Sequence, residues 1–240
     1  KSITEVAYSC GFNDLSYFNR IFKRYKKKML PFVYNRMPKY PECSEEEKCS
    51  MRTELGLPSN AKIGVYVGRV TKEKGLSYLV DALKQLDKYW PSELCLVIVG
   101  EGEYLQEMQA ECAALQHAHR VLFVGQQDLV QKYLNASDFF VSPSLHENLS
   151  ISILEACAAK LPCLVTDVGG NCEIIENGKN GLVIAPASAA AIADGLRRMC
   201  NDEYRNEMLQ CAEQVDYGKF SDEQVDRQLK QVYDQLLRRQ

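Results

Sequence analysis

From Ser44 onward the apolar and polar positions fall into a repeating order, a short and nearly all-apolar run followed by a segment apolar at helical spacing. The runs are IGVYVG (63–68), LCLVIVG (94–100), VLFVG (121–125), DFFVSPS (138–144), PCLVTDVGG (162–170) and GLVIAP (181–186). Runs of this length and composition become strands buried on both faces. After the first run, GLSYLVDALKQLDKYW places Leu76, Leu79, Leu83 and Leu86 on one helix face. Further helices are predicted over EYLQEMQAECAAL (103–115), DLVQKYLNAS (128–137), SISILEACAAK (150–160), NCEIIENG (171–178) and SAAAIADGLRRMC (188–200). SEEEKCSMRTELG opens the series with a capping box of Ser44 and Glu47, and Gly56 marks its stop. Two more helices, over 203–216 and 221–238, end the chain. Six apolar strands bounded by helices predict a parallel six-stranded sheet covered on both faces. Right-handed crossovers make it a doubly wound, Rossmann-like α/β domain.

Composition adds a boundary that the pattern does not show. The 240 residues are 46% hydrophobic and 25% charged with net charge -3, an ordinary globular composition that excludes a disordered or fibrous chain. The average conceals a split. Residues 1–40 hold nine basic residues against Glu5 and Asp14, a net +7, whereas residues 41–240 hold 20 basic and 30 acidic residues, a net -10. The first 40 residues also carry nine of the 21 Phe and Tyr. Two domains are therefore expected, 1–40 and 41–240. Ten cysteines without a CxxC pair, three of them (Cys95, Cys157, Cys163) inside apolar segments, argue for a reduced cytoplasmic protein over a disulfide or metal protein. No run approaches the ~18 apolar residues of a membrane span, and the first residues lack the apolar core of a signal peptide. The first residue is Lys1 rather than Met, as expected of a fragment, a truncation or a fusion.

Ligands of a doubly wound sheet bind beyond the carboxyl ends of its strands. The first run ends in Gly68-Arg69-Val70-Thr71-Lys72-Glu73-Lys74-Gly75 before its helix. A glycine that lets the backbone approach a ligand, two cations and a helix start suit a diphosphate, although a solvated basic turn has the same residues. The second run ends in Gly100-Glu101-Gly102, which serves a turn equally well. The fourth is followed by Pro143-Ser144-Leu145-His146-Glu147-Asn148-Leu149-Ser150, with Glu155 two turns into the next helix. Glu147 in the loop could face the reacting end of a ligand and Glu155 could accept paired sugar hydroxyls, with free amides of Asn148, Leu149 and Ser150 holding a phosphate. An ordinary solvated helix position is the alternative for Glu155. His146 could orient a sugar or simply be solvated, and the side chains of Leu149 and Ile151 read as core.

Taken together, residues 60–186 resemble the nucleotide-sugar-binding half of GT-B glycosyltransferases of retaining family 4 (group 1). The resemblance runs through VGRVTKEKG, LVIVGEGEYL, VLFVG and SDFFVSPSLHENLSISILEACAAKLPCLVTDVGGNCEIIENGKNGLVIAP. It implies that Arg69 and Lys74, with Gly68, grip the donor diphosphate, and that Glu155 binds the donor ribose. It also implies that Glu147 lies at the transferring sugar, that Asn148–Ser150 supply backbone donors, and that Gly125 and Gln126 meet the base. The donor would be a nucleotide-diphosphate sugar such as a UDP- or GDP-hexose. The acceptor would be a glycan or a lipid-linked saccharide, as in polysaccharide biosynthesis. No Asp-x-Asp metal signature occurs, so a metal-free site without a cofactor is expected. The leaving diphosphate would then be neutralised by Arg69, Lys74 and a helix dipole through an oxocarbenium-like transition state. Two positions depart from the family pattern. Asn148 stands where glycine is common, and Lys160 stands where a glycine usually supplies a left-handed helix stop.

The first forty residues resemble a different family, the second helix-turn-helix of AraC-type transcription regulators, over residues 2–36. The resemblance implies a helix over 2–9, a turn at Cys10–Asn13, and a recognition helix from Asp14 presenting Ser16, Tyr17, Asn19 and Arg20. Lys23, Arg24 and Lys26–Lys28 would meet phosphates, and Pro31 would open a closing helix over 32–36. Only one of that family's two motifs is present, so residues 1–40 are not expected to bind DNA alone. They are expected to dock on the larger domain. A GT-B enzyme also needs an acceptor domain, which residues 1–40 do not supply, so slow or absent transfer by this chain alone is expected. Membrane-surface association of the full enzyme stays open. Three readings follow: the donor-binding half of a glycosyltransferase, a DNA-binding regulator fragment, or a chimera with no joint function.

Overall fold

The computed structural model describes residues 33–91 and 93–237. Six parallel strands form one sheet: β1 (Lys62–Val67), β2 (Leu94–Val99), β3 (Val121–Gly125), β4 (Phe139–Ser142), β5 (Cys163–Thr166) and β6 (Gly181–Ile184), in spatial order β3-β2-β1-β4-β5-β6. β1 runs in unbroken register with β2, from Lys62 opposite Leu94 to Val67 opposite Val99, and its other edge pairs Gly64 with Phe139 of β4. The chain builds outward from β1 to β3, then returns to the far side of β1 for β4. β1 and β4 therefore flank the point where strand order reverses, which in an open α/β sheet is where ligands bind.

Helices connect the strands: α1 (Glu45–Glu54), α2 (Leu76–Leu86), α3 (Leu105–Ala113), α4 (Val130–Asn135), α5 (Ile151–Ala158), α6 (Asn171–Ile174), α7 (Ala189–Met199) and α8 (Asp202–Ala212). The four leucines predicted on one face of α2 are fully buried, against Ile192, Leu196 and Met199 of α7 and the sheet residues Leu96, Ile98, Phe139 and Leu164. Fully burying side chains of this size contributes about 1.5–3 kcal/mol each, so this layer fixes the sheet on which the rim loops stand. Val65, Val97, Phe140 and Val165 alternate onto the opposite face, and no strand residue between Ile63 and Val65 or between Leu94 and Val99 is exposed. That two-sided burial is why the strands read as continuous apolar runs.

α1 starts as its sequence predicts. Ser44 Oγ accepts from the Glu47 amide, and the Glu47 carboxylate accepts from the Ser44 amide. It ends in a Schellman turn, Gly56 N–H donating to Thr53 O and Leu57 N–H to Arg52 O, with Gly56 at φ +65°. α5 ends in the same hydrogen-bond pattern: Lys160 N–H donates to Cys157 O and Leu161 N–H to Ala156 O. Here Lys160 itself takes the left-handed conformation, at φ +57°. The missing glycine therefore changes the energy of the stop and leaves its shape intact.

At the amino ends of β1 and β4 one buried ion cluster ties α1 to the sheet. Arg52 donates to the Asp138 carboxylate at 2.7 Å and to the carbonyls of Ala136, Ser59 and Ala61. Asp138 also accepts from Lys48 at 2.8 Å and from the Ile63 amide at 2.7 Å. Burial pushes the Asp138 carboxyl up, but the charges of Lys48 and Arg52 and these hydrogen bonds outweigh it and hold the group below its ordinary value.

Asn35–Ser221 form one compact unit. Asp222–Leu237 form helix α9, which belongs with Tyr34 to a separate unit, where the Tyr34 amide donates to Gln228 Oε1 at 3.0 Å. Of the helix-turn-helix expected over 2–36, residues 2–32 lie outside the described residues, and the closing helix expected over 32–36 is not formed at 33–36, where the backbone has no helical turn. The thiols of all nine described cysteines are free, and Cys95, Cys157 and Cys163 are buried as their apolar segments predict. Among the described residues no helix is long and apolar enough to cross a membrane.

Candidate donor-binding site

The loops leaving β1 and β4 are locked to one another. Leu145 N–H donates to Glu73 O at 3.0 Å, and Gly75 lies so close to Pro143 that a Cβ there would stand 1.8 Å from the Pro143 carbonyl oxygen. Gly75 also has φ +69° and joins the short 3₁₀ turn Lys72–Lys74 to α2, a conformation that a side chain would strain. This glycine serves loop packing. Gly100 does the same: a Cβ there would stand 1.9 Å from the Gly68 carbonyl oxygen. At Gly68 itself the nearest atom to a Cβ would be the Tyr66 hydroxyl oxygen, at 3.0 Å.

The locked loops bring Lys74 to Glu147. The ammonium stands 2.6 Å from Glu147 Oε1, and the same oxygen accepts from Ser144 Oγ at 2.8 Å. Both side chains are mostly buried, 21% and 11% exposed, so this pair is shielded more than a surface salt bridge. Tyr66, at the end of β1 and itself buried, donates its hydroxyl to the Arg69 carbonyl at 2.7 Å. Burial, then the nearby Glu147 charge, pushes the Tyr66 phenol up, so it stays a donor. The Arg69 side chain is exposed, and among the described residues it makes no ion pair.

Loop 147–150 rests on the end of β5. A Cβ on Gly169 would stand 1.7 Å from the Glu147 carbonyl oxygen, and Gly169 has φ +53°. Gly170 N–H donates to Asn148 O at 2.8 Å, and Thr166 Oγ1 donates to Ser144 O at 2.6 Å. Ser150 caps α5, its hydroxyl accepting from the Ile153 amide at 3.4 Å. Among the described residues the amides of Asn148, Leu149, Ser150, Ile151 and Ser152 have no protein acceptor. Leu149 is buried as expected. Ile151 is not: it is 56% exposed, because the first residue of α5 projects off the sheet-facing stripe. His146 is exposed.

Glu155 stands apart from the Lys74–Glu147 network. It is half-buried on α5, and among the described residues its carboxylate has no hydrogen-bond or ion-pair partner; burial pushes its pKa up. A fully solvated position is excluded. Its neighbour Tyr40 has its phenol pushed up by burial and then by the Glu155 charge. Gly125, at the end of β3 with φ +70°, accepts from the Gly100 amide at 2.8 Å, and Gln126 beside it is exposed. These two lie two strands from the switch point. Tyr66, Ser144, Thr166 and Asn35, the last described below, were not singled out by sequence, whereas the Gly169-Gly170 pair at a strand end was a visible signal. Among the described residues there is no group of three metal-ligating side chains. The rim as a whole presents cations and free amides to an anion, and a partnerless carboxylate to hydroxyl donors.

Known proteins are similar to this chain in sequence and fold. A glycosyltransferase of Methanocaldococcus jannaschii, described as uncharacterized, is 33% identical over 193 residues, covering 79% of this chain and 49% of its own length. An Escherichia coli UDP-Gal:α-D-GlcNAc-diphosphoundecaprenol α-1,3-galactosyltransferase is 30% identical over 182 residues, covering 75% of this chain and 47% of its own length. The chain thus spans about half the length of these relatives. The crystal structure of Anabaena HepE in complex with UDP-glucose shares the fold at TM-score 0.71 and 23% identity, covering 85% of this chain and 56% of that one. The family model for group 1 glycosyl transferases matches residues 48–215, and the chain belongs to that family.

Proposed function

We propose that residues 41–240 are the nucleotide-sugar-binding half of a retaining glycosyltransferase of family 4, moving a hexose from a nucleotide-diphosphate sugar to a saccharide or lipid-linked acceptor. The observation that carries the reading is the rim at the β1/β4 switch point, where Lys74, Arg69 and free amides of loop 148–150 accompany a paired and an unpaired carboxylate. Arg69 and Lys74 hold the donor diphosphate, with the amides of Asn148, Leu149 and Ser150. Glu155 accepts the two ribose hydroxyls, which supply the partners its burial withholds. Gly125 and Gln126 meet the base. Ser144 and Lys74 hold Glu147 toward the transferring sugar. UDP- and GDP-hexoses fit this chemistry equally, and the UDP-Gal donor in the name of the E. coli relative favours a nucleotide sugar of this class.

In the transfer, the bond from the sugar anomeric carbon to the diphosphate oxygen breaks as the acceptor oxygen approaches on the same face. The charge arriving on the diphosphate is met by Arg69, Lys74 and the amino end of α5. The departing phosphate oxygen takes the acceptor proton, and no protein base is required. GT-B chemistry runs between two halves; residues 41–240 are read as the donor-binding one, and taken by themselves they should transfer slowly or not at all. A thermal-shift panel with UDP, GDP, ADP and their sugars tests this. One nucleoside diphosphate at a hundredfold excess over Kd should stabilise the chain by on the order of 2.7 kcal/mol; silence of all of them would sink the reading.

A further inference from the structure

Residues 35–44, before α1, form neither helix nor strand and lie outside the residues matched by the family model. Within the compact unit this strap is fixed in several places. Met37 N–H donates to Phe220 O at 3.0 Å, Glu42 pairs with Lys160, and Tyr40 sits close enough to Glu155 to feel its charge. Just before those anchors, Asn35 Nδ2 donates to the Leu149 carbonyl oxygen at 3.0 Å, across 114 residues of sequence. Leu149 O is one half of a peptide group whose other half is the Ser150 N–H. A trans peptide is planar, so the two point in opposite directions. Among the described residues Ser150 N–H has no acceptor, and neither has Leu149 N–H, whose own peptide is pinned from the other side by Gly170 on Asn148 O. Two successive carbonyls of the donor loop are thus held by two different elements, and their two amides are left facing away from the protein's acceptors.

We propose that Asn35 is a positioning residue of the donor site: by holding the Leu149 carbonyl it fixes the Leu149–Ser150 peptide plane and aims the Ser150 N–H at the donor diphosphate. This rests on the donor-binding reading above. The interaction acts through the backbone, so its signature is selective. Loss of Asn35 should weaken binding of the phosphates and leave the nucleoside alone.

The test is calorimetric titration of the chain with whichever of UDP, GDP and ADP binds it, and with the corresponding nucleoside. Asn35→Ala and Asn35→Asp, the second nearly isosteric but without the donor, should each weaken diphosphate binding about 5–10-fold, the scale of one lost hydrogen bond. Nucleoside affinity should stay within twofold, and Asn35→Gln, which restores a donor, should recover most of the loss. Equal weakening of diphosphate and nucleoside indicates a merely structural role and overturns the proposal. So does unchanged diphosphate binding in Asn35→Ala. If no nucleoside diphosphate binds the wild-type chain, the donor reading itself fails and the proposal goes with it; wild-type binding with insensitive variants removes only the role of Asn35.

Discussion

Glu147 and Glu155 belong to one loop-and-helix unit, eight residues apart, but their surroundings are opposite. Glu147 is almost enclosed, and its carboxylate oxygen already has an ammonium at 2.6 Å and a hydroxyl at 2.8 Å. Glu155 is half-buried, and among the described residues it has no partner. A buried carboxylate that is paired is held in one orientation before any ligand arrives, whereas an unpaired one is an incomplete hydrogen-bonding site. The difference separates two tasks. In the proposed reading Glu147 with Lys74 is pre-arranged at the reacting end, and Glu155 gains its partners from the donor.

The largest expected effect comes from breaking the paired side. Lys74→Ala should cost about 2–4 kcal/mol of transition-state stabilisation, the scale of a lost charge-stabilising donor, read as kcat/KM wherever transfer is measurable. Wild-type nucleotide-sugar affinity in that variant would remove Lys74 from the donor site. Glu147→Gln sharpens the contrast, because it leaves the Lys74 charge uncontested: transfer should fall while nucleoside diphosphate affinity stays level or tightens, by up to about 1 kcal/mol. On the unpaired side, Glu155→Ala should weaken nucleoside diphosphate and nucleoside alike, by about 1.5–3 kcal/mol, since charged hydrogen bonds to the ribose are lost in both. A loss confined to the diphosphate would place Glu155 elsewhere than at the ribose.

The same contrast has a pH signature in the ligand-free chain. The pKa of Glu155 is raised by folding, so its ionisation opposes the folded state, and stability falls as pH rises from the ordinary glutamate range through the raised value. Glu155→Gln should flatten that decline in urea midpoints measured against pH. Asp138 runs the other way: its pKa is lowered, and its contribution, present above the unfolded value, is lost as pH falls through the folded one. A decline with rising pH that persists in Glu155→Gln would assign it to another group. The smallest effect is at the far end of the same helix. Lys160→Gly should stabilise the chain by at most about 1 kcal/mol in urea unfolding, the left-handed strain relieved less the freedom glycine adds to the unfolded chain and less the exposed Glu42 ion pair it removes.

The fold was legible because parallel strands buried on both faces leave an uninterrupted apolar trace, and all six runs became strands in chain order. Their far ends were longer in sequence than in structure. The run 138–144 yields a strand over 139–142, and 162–170 yields 163–166, because the remaining residues turn into the rim loops. The site was half legible. Cations after one strand and carboxylates after another could be seen, but the contact of Lys74 with Glu147 spans 73 residues and depends on strand order. Tyr66 and Thr166 are indistinguishable by pattern from the strand residues beside them. Asn35 lies in a segment with no periodicity. Ile151 misled because an apolar residue at the first position of a helix looks like core, whereas the helix turns it outward.

The ion cluster beneath the sheet constrains how the chain is made. Arg52 meets Asp138 across 86 residues, and Asp138 is also the acceptor for the backbone of Ile63, the second residue of the strand that founds the sheet. At the roughly 5–20 residues per second of synthesis, that partner reaches Arg52 about 4–17 seconds later. Until then the guanidinium has no carboxylate to meet, and β1 lacks its neighbour on one side. A nascent chain paused before Asp138 therefore holds β1, β2 and β3 without the carboxylate that accepts from the Ile63 amide and without the β4 neighbour of β1.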